Sequence, residues 1–241
     1  MDIKNTLALM LGMAGLMTAG LLSANDEIPQ RIKVSKTEHA DLLPGSTLRL
    51  KNSTGEVTVE GWDQPVVEIT TIKSTKLAYS GATPAVERDR AAHNLENVKI
   101  TFSQQNGEFV VTTDFPRGRR YLPRPSVGSR DFNLEYRIKV PRDSKIFVEH
   151  DEGEVHFDGL TGDISATTNQ GAIILRLPST AQYAIDAKVR IGDVTSEFPG
   201  TTTREHLGHY FVQTAPAPHK LSLRNGYGDI LILRSHTAGT W

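Results

Sequence analysis

Residues 153–173 read GEVHFDGLTGDISATTNQGAI, and a glycine arrives there every nine residues, at Gly153, Gly162 and Gly171. An acid and then a β-branched residue follow the first two, Glu154-Val155 and Asp163-Ile164, while the third copy has alanine for the acid, Ala172-Ile173. Nine residues hold one strand of about five and a turn of about four, both ordinary sizes. The unit recurs as Gly55-Glu56-Val57, Gly192-Asp193-Val194 and Gly228-Asp229-Ile230, with Gly107-Glu108-Phe109 a looser copy. Asn52 and Asn225 stand three residues before Gly55 and Gly228. Asparagine first and glycine fourth is the pattern of a type I turn.

Gly55, Gly153, Gly162, Gly171, Gly192 and Gly228 are therefore expected at turns, where glycine takes a left-handed conformation without a Cβ clash. The acid after each should face water and the next residue the core. The inward set is then Val155 and Phe157, Ile164 and Ala166, Ile173 and Leu175, Val194 and Ser196, Ile230 and Ile232. Two topologies fit: an antiparallel meander or sandwich, or a β-solenoid whose strands stack coil on coil. Internal repetition with irregular insertions, and small inward residues such as Ala166 and Ser196, favour the repetitive solenoid-like body.

The rest of the chain supports an all-β class. Leu48 and Leu50 alternate with Arg49 and Lys51, and Val57, Val59, Val67 and Ile69 continue the period of two expected of half-buried strands. VKITFSQQNGEFVVTTDF reads as a hairpin with Asn106-Gly107 at its tip. One short helix is expected near residues 84–96, in a segment rich in Ala, Glu and Arg. Trp62, in Gly61-Trp62-Asp63, is expected to plug a turn or core end rather than to present a ligand platform.

The first 24 residues differ: Lys4, an apolar run from Leu7 to Leu22, then Ser23-Ala24, with all four methionines of the chain. This reads as a secretory signal peptide cleaved after Ala24, too short for a spanning helix. Residues 25–44 then form a polar lead, and 45–241 one repetitive β domain. No membrane span is expected after cleavage. The 241-residue chain has no cysteine and a net charge of −1. Stability must come from packing rather than disulfides, and the charge balance argues against nucleic acid. Export without disulfides fits a bacterial envelope, periplasmic or at the cell surface.

Gly55-x-Val57-x-Val59-x-Gly61-Trp62-Asp63, Val140-Pro141-Arg142 and the G-[DE]-[VI] series together resemble the bacterial family of exported, uncharacterised proteins labelled "putative adhesins". The likeness covers most of residues 45–235 and its motifs are architectural. It implies an exported, repetitive β protein with no established enzymatic activity, and it supplies no catalytic residues.

Four constellations carry chemistry. His150, Glu154, His156 and Asp158 fall within nine residues, and the last three share one face of a strand, a weak metal candidate. Glu205-His206-x-x-His209 has the wrong spacing for the helical zinc motif. The repeated acids lack the paired glycines of calcium-binding nonapeptides. Arg117, Arg119, Arg120, Tyr121, Arg124 and Arg130 lie in a Pro- and Gly-rich loop, the best candidate contact surface, since arginine clusters bind phosphate and carboxylate. No cofactor is expected. There is no cysteine nucleophile and no G-x-S-x-G elbow. The expected function is non-enzymatic: envelope or surface binding or scaffolding through a glycan, lipid or protein partner. A polysaccharide lyase or hydrolase on a β-helical scaffold and a platform for envelope signalling are the alternatives.

Overall fold

The computed structural model describes residues 29–80, 83–105, 107–114, 132–214 and 216–235. Residues 1–24, read above as a signal peptide, the arginines and tyrosine of 117–130, and Asn106 lie outside the described residues. The chain enters on an edge strand, β1 (Lys33–Asp41), inside the stretch read as a polar lead. That lead carries nine strand residues because β1 pairs along its whole length with a later strand.

A first pair follows, β2 (Thr47–Ser53) and β3 (Glu56–Trp62), and then β4 (Val66–Thr75), α1 (Ala85–Glu96), the hairpin β5 (Lys99–Gln105) and β6 (Glu108–Asp114), and β7 (Phe132–Pro141). The helix sits where the composition placed it. Leu95 is its one buried residue, and the Lys73 ammonium holds its C-terminal end by donating to the carbonyls of Leu95 and Val98. Three pairs then come in succession: β8 (Lys145–Glu152) with β9 (Val155–Asp158), β10 (Ile164–Gln170) with β11 (Ile173–Pro178), and β12 (Tyr183–Ile191) with β13 (Val194–Ser196). A hairpin, β14 (Thr201–Glu205) and β15 (Gly208–Gln213), precedes the last pair, β16 (His219–Tyr227) and β17 (Ile230–Ser235).

The first strand of each pair lies in a nine-stranded sheet, ordered β14-β15-β12-β16-β10-β8-β2-β6-β5, and the second in an eight-stranded sheet, β1-β4-β7-β3-β9-β11-β17-β13. Both sheets are open and mixed. Parallel ladders join the repeats, and antiparallel strands finish the edges. The repeats therefore do not form an antiparallel meander, while two facing open sheets agree with the sandwich alternative. Stacking is also out of chain order: β16 lies between β10 and β12, and β17 between β11 and β13. The slot stays empty until the last repeat is in place, a non-local pairing of the kind that slows folding.

In parallel register like stacks on like. Leu48, Ile146, Ile164, Leu221 and Ile185 align across one sheet, and Val57, Val155, Ile173, Ile230 and Val194 across the other. All are buried in a single core cluster. The inward set is as expected except Ser196, which is half-buried, and the acids Glu56, Glu154, Asp193 and Asp229 face water.

The corners where the chain steps between sheets explain the glycines. A Cβ built on Gly171 would lie 1.8 Å from the carbonyl oxygen of Gly153, and one on Gly153 would lie 1.9 Å from that of Gly55. The same stacking continues from Gly228 onto Gly171 and from Gly192 onto Gly228. Gly162 is different. It lies on the opposite corner, outside the left-handed region, with the Ser144 carbonyl 2.2 Å from its would-be Cβ. The nine-residue spacing thus marks half a circuit, and the circuit from Gly153 to Gly171 is twice that.

Trp62 is half-buried at the end of β3. Its Nε1 donates to the Val66 carbonyl at 2.9 Å, and Lys139 Nζ sits 5.5 Å from the ring centre. It is a turn plug rather than a core plug. Trp62→Ala is expected to cost about 1–2 kcal/mol in denaturant unfolding, below the roughly 3–5 kcal/mol typical of a fully buried aromatic.

Candidate surface site

The outer face of the eight-stranded sheet gathers polar side chains by register. One row runs Thr37, Thr70, Arg137, Thr58, His156, Ile174 and Leu231. The adjacent row runs His39, Glu68, Lys139, Glu60, Asp158, Arg176 and Leu233. Strands alternate side chains between faces, so each row is one residue parity carried across neighbouring strands.

A cleft of about 500 Å³ opens on this face, lined by Arg31, Lys33, Ile72, Ser74, Asn133 and Glu135 among others, with Glu56 at its inner end. A second hollow of about 240 Å³ shares Glu56 and continues past Thr58 to His156, Asp158 and Arg176. The two hollows meet at Glu56, the first over β1, β4, β7 and β3 and the second over the parallel strands β3, β9 and β11. Ion pairs anchor two lining residues, Arg137 to Glu135 and His156 Nε2 to Glu154 at 3.0 Å, and elsewhere on the face Glu68 pairs with both His39 at 3.0 Å and Lys139 at 3.3 Å. The hydrogen bond from His39, helped by Lys139, holds the Glu68 carboxyl below its ordinary range, although burial pulls the other way.

The four residues weighed as a metal site are not brought together. Glu154 and His156 pair on this outer face and Asp158 shares it, but His150 lies in the other sheet and points into the core. All four are even-numbered, but the corner between β8 and β9 reverses which parity faces inward: even residues in β8, odd residues in β9. Among the described residues no cluster of three or more His, Cys, Asp or Glu is placed to hold a metal ion. The Glu205-His206-x-x-His209 stretch is a hairpin, not a helix. His206 occupies its turn at φ 56°, Glu205 pairs with Lys188, and His209 Nδ1 lies 2.7 Å from Asp193.

Sequence reasoning missed two features. The first is the cleft, whose lining comes from strands far apart in the chain. The second is a buried polar column under the glycine corner: Ser53, His150, Thr168 and Asn225, aligned across four parallel strands. Ser53 Oγ lies 2.8 Å from His150 Nδ1, and Asn225 Nδ2 donates to the Gly171 carbonyl at 2.9 Å. Asn225 therefore braces the neighbouring corner from inside rather than opening its own turn. The signal was present: His150, Thr168 and Asn225 each stand three residues before a corner glycine.

No protein-family model matches this chain, and no curated protein matches it. Among solved structures it is similar to a "putative cell adhesion protein" from Clostridium sporogenes, at 13% identity and a TM-score of 0.48, covering 84% of this chain and 100% of that one. It is also similar to a "putative adhesin" from Bacteroides fragilis, at 9% identity and a TM-score of 0.31, covering 83% of this chain and 97% of that one. A "putative lipid binding protein" from Parabacteroides distasonis aligns at 7% identity and a TM-score of 0.21, covering 84% and 97%. Likenesses this distant carry no argument about what the chain binds. No helix among the described residues is long and apolar enough to cross a membrane.

Proposed function

We propose that this chain is an exported, non-enzymatic binding or scaffolding module of the bacterial envelope, built as a solenoid-like body. On this reading the outer face of the eight-stranded sheet is its contact surface. The observation that carries the reading is the pair of hollows that share Glu56, which offer hydrogen-bonding and charged side chains on a hydrogen-bonded sheet. A broad, shallow, pre-formed surface suits an extended polar ligand such as an envelope glycan, a lipid head group or a protein partner. The signal-like segment supports export, and the repeat of strand, glycine corner and strand supports the solenoid-like reading.

The test is binding of the purified protein to an array of envelope glycans and lipid vesicles. Changing Glu56 to Lys together with His156 and Arg176 to Ala is expected to weaken binding at least about tenfold, the loss of two or three polar contacts. Changing Arg119 and Arg120 to Ala should leave it within about threefold, since on this reading the contact lies at the sheet face. The reverse pattern would move the contact surface to the arginine loop. Turnover of a polysaccharide that the His156 change abolishes would overturn the non-enzymatic reading.

A further inference from the structure

The eight-stranded sheet ends on β1, and nothing in the described chain pairs with its outer edge. The direction of its backbone groups follows from three hydrogen bonds. Leu42 N–H donates to the Pro65 carbonyl, Thr75 N–H to that of Ile32, and Thr71 Oγ1 to that of Lys36. Even-numbered residues therefore bond toward β4. In an antiparallel ladder the alternate residues turn their groups the other way. The N–H and C=O groups of Lys33, Ser35, Thr37, His39 and Asp41 thus face outward, with the Asp41 carbonyl also accepting from Gln104 Nε2 at 2.8 Å.

The side chains along this edge read Lys33-Val-Ser-Lys36-Thr37-Glu38-His-Ala-Asp41, a charge palindrome about Thr37. We propose that β1 is a self-recognition edge, and that two copies of this chain pair β1 to β1 antiparallel about a two-fold axis at Thr37. Lys33 then faces Asp41 of the second copy, Lys36 faces Glu38, Val34 faces Ala40, and Ser35 faces His39. Every facing pair of odd residues has its backbone groups aimed at the other strand, as in any register centred on a residue, and charge then selects this one. Moving the axis to residue 36 sets Lys36 against itself, and moving it to 38 sets Glu38 against itself. A two-fold interface needs such self-complementarity, and opposite charges directly across a ladder stabilise it while like charges oppose it.

One further observation agrees. Val34 is 43% exposed and becomes covered. The other long edges lack the pattern: β5 reads KITFSQQ and β14 reads TTTRE, and neither places opposite charges across a two-fold centred on any residue. An unpaired edge is otherwise an aggregation hazard, and pairing two copies closes it. The interface is a single ladder, at the small end of specific interfaces, so the dimer is expected to be concentration-dependent.

The experiment is sedimentation of the purified exported protein over roughly 1 µM to 1 mM. A reversible monomer–dimer equilibrium is expected. K36E and E38K should each weaken it at least about tenfold, because each sets like charges across the two-fold twice. Mixing the two variants should restore dimers, since both carboxylates at positions 36 and 38 of one chain then face ammonium groups of the other. The double swap K36E/E38K should restore them within one chain. A monomer throughout the range, a dimer indifferent to both single changes, or a mixture that stays monomeric overturns the proposal. If a single variant loses its β signal in circular dichroism, T37C in this cysteine-free chain decides. A short bis-maleimide should link two copies at the axis, and failure to link at dimer-forming concentration overturns the proposal.

Discussion

Gly171→Ala is expected to cost at least about 4 kcal/mol of folding stability, whereas Gly107→Ala should cost about 1 kcal/mol, the penalty for a left-handed residue with a Cβ. Gly171 has φ +129° and Gly107 has φ +76°, so both carry conformational strain on substitution. Their surroundings separate them. A Cβ at Gly107 meets nothing within 4 Å, whereas one at Gly171 lies 1.8 Å from the Gly153 carbonyl oxygen and 2.6 Å from its carbon. The neighbour cannot yield, because Gly153 is itself stacked on Gly55 and Gly55 on Leu134. The corner is also hydrogen-bonded level to level: Gly171 N–H donates to the Tyr227 carbonyl, Gly153 N–H to Gln170 and Gly228 N–H to Ile191. Opening one level shifts ladders in both sheets. A clash of this kind with strain added is worth at least about 4 kcal/mol, against a total of roughly 5–15 kcal/mol for a domain. Circular dichroism and denaturant unfolding of the two variants check it. A Gly171→Ala protein within about 1 kcal/mol of wild type would mean the corners are not close-stacked.

The strands were legible because burial writes itself into a period of two. Val57, Val59, Ile173 and Leu175 alternate with solvent-facing partners, and the β5–β6 hairpin announced itself by Asn106-Gly107. The partner of each strand was not legible. Alternation says which face is wet but not which strand lies alongside, and nothing local marks β16 as the strand that fills the gap between β10 and β12. The glycine spacing misled in one respect. Gly162 falls on the nine-residue count, yet serves the opposite corner for a different reason, so a half-period looked like a period.

The surface site was less legible than the fold. The shared face of Glu154, His156 and Asp158 follows from parity alone. His150 was grouped with them by proximity along the chain, though it stands two residues from Val148 and four from Ile146, on the inward face of β8. The cleft around Glu56, Arg31 and Asn133 needs the β1–β4–β7–β3 order, which depends on long-range pairing. The arginine loop was singled out by composition, and it falls outside the described residues.

Acidification is expected to unfold this protein earlier than its surface charges alone would, and His150 supplies the reason. The side chain is 4% exposed, and burial pushes its pKa down from 6.5 to about 4, although Asp151 and the nearby backbone of Glu152 and Gly55 pull upward. Its aligned neighbours Ser53, Thr168 and Asn225 are all neutral, so no carboxylate on the inner face is there to stabilise an imidazolium. The unfolded chain therefore takes up this proton before the folded one does. Stability from His150 is complete above about pH 6.5 and is lost as pH falls toward 4, where the folded state finally binds the proton. A gap of about two and a half units corresponds to roughly 3 kcal/mol. Glu68, whose carboxyl is held low, also loses its contribution on acidification, but only in the carboxylate range, below the window in which the unfolded chain protonates His150. His150→Gln keeps a polar atom near Ser53 and has no proton to gain. Its denaturant midpoint should be nearly flat between about pH 6.5 and 5, where the wild type declines. Equal slopes would place the charge of His150 in contact with water and remove the column from the account of acid stability.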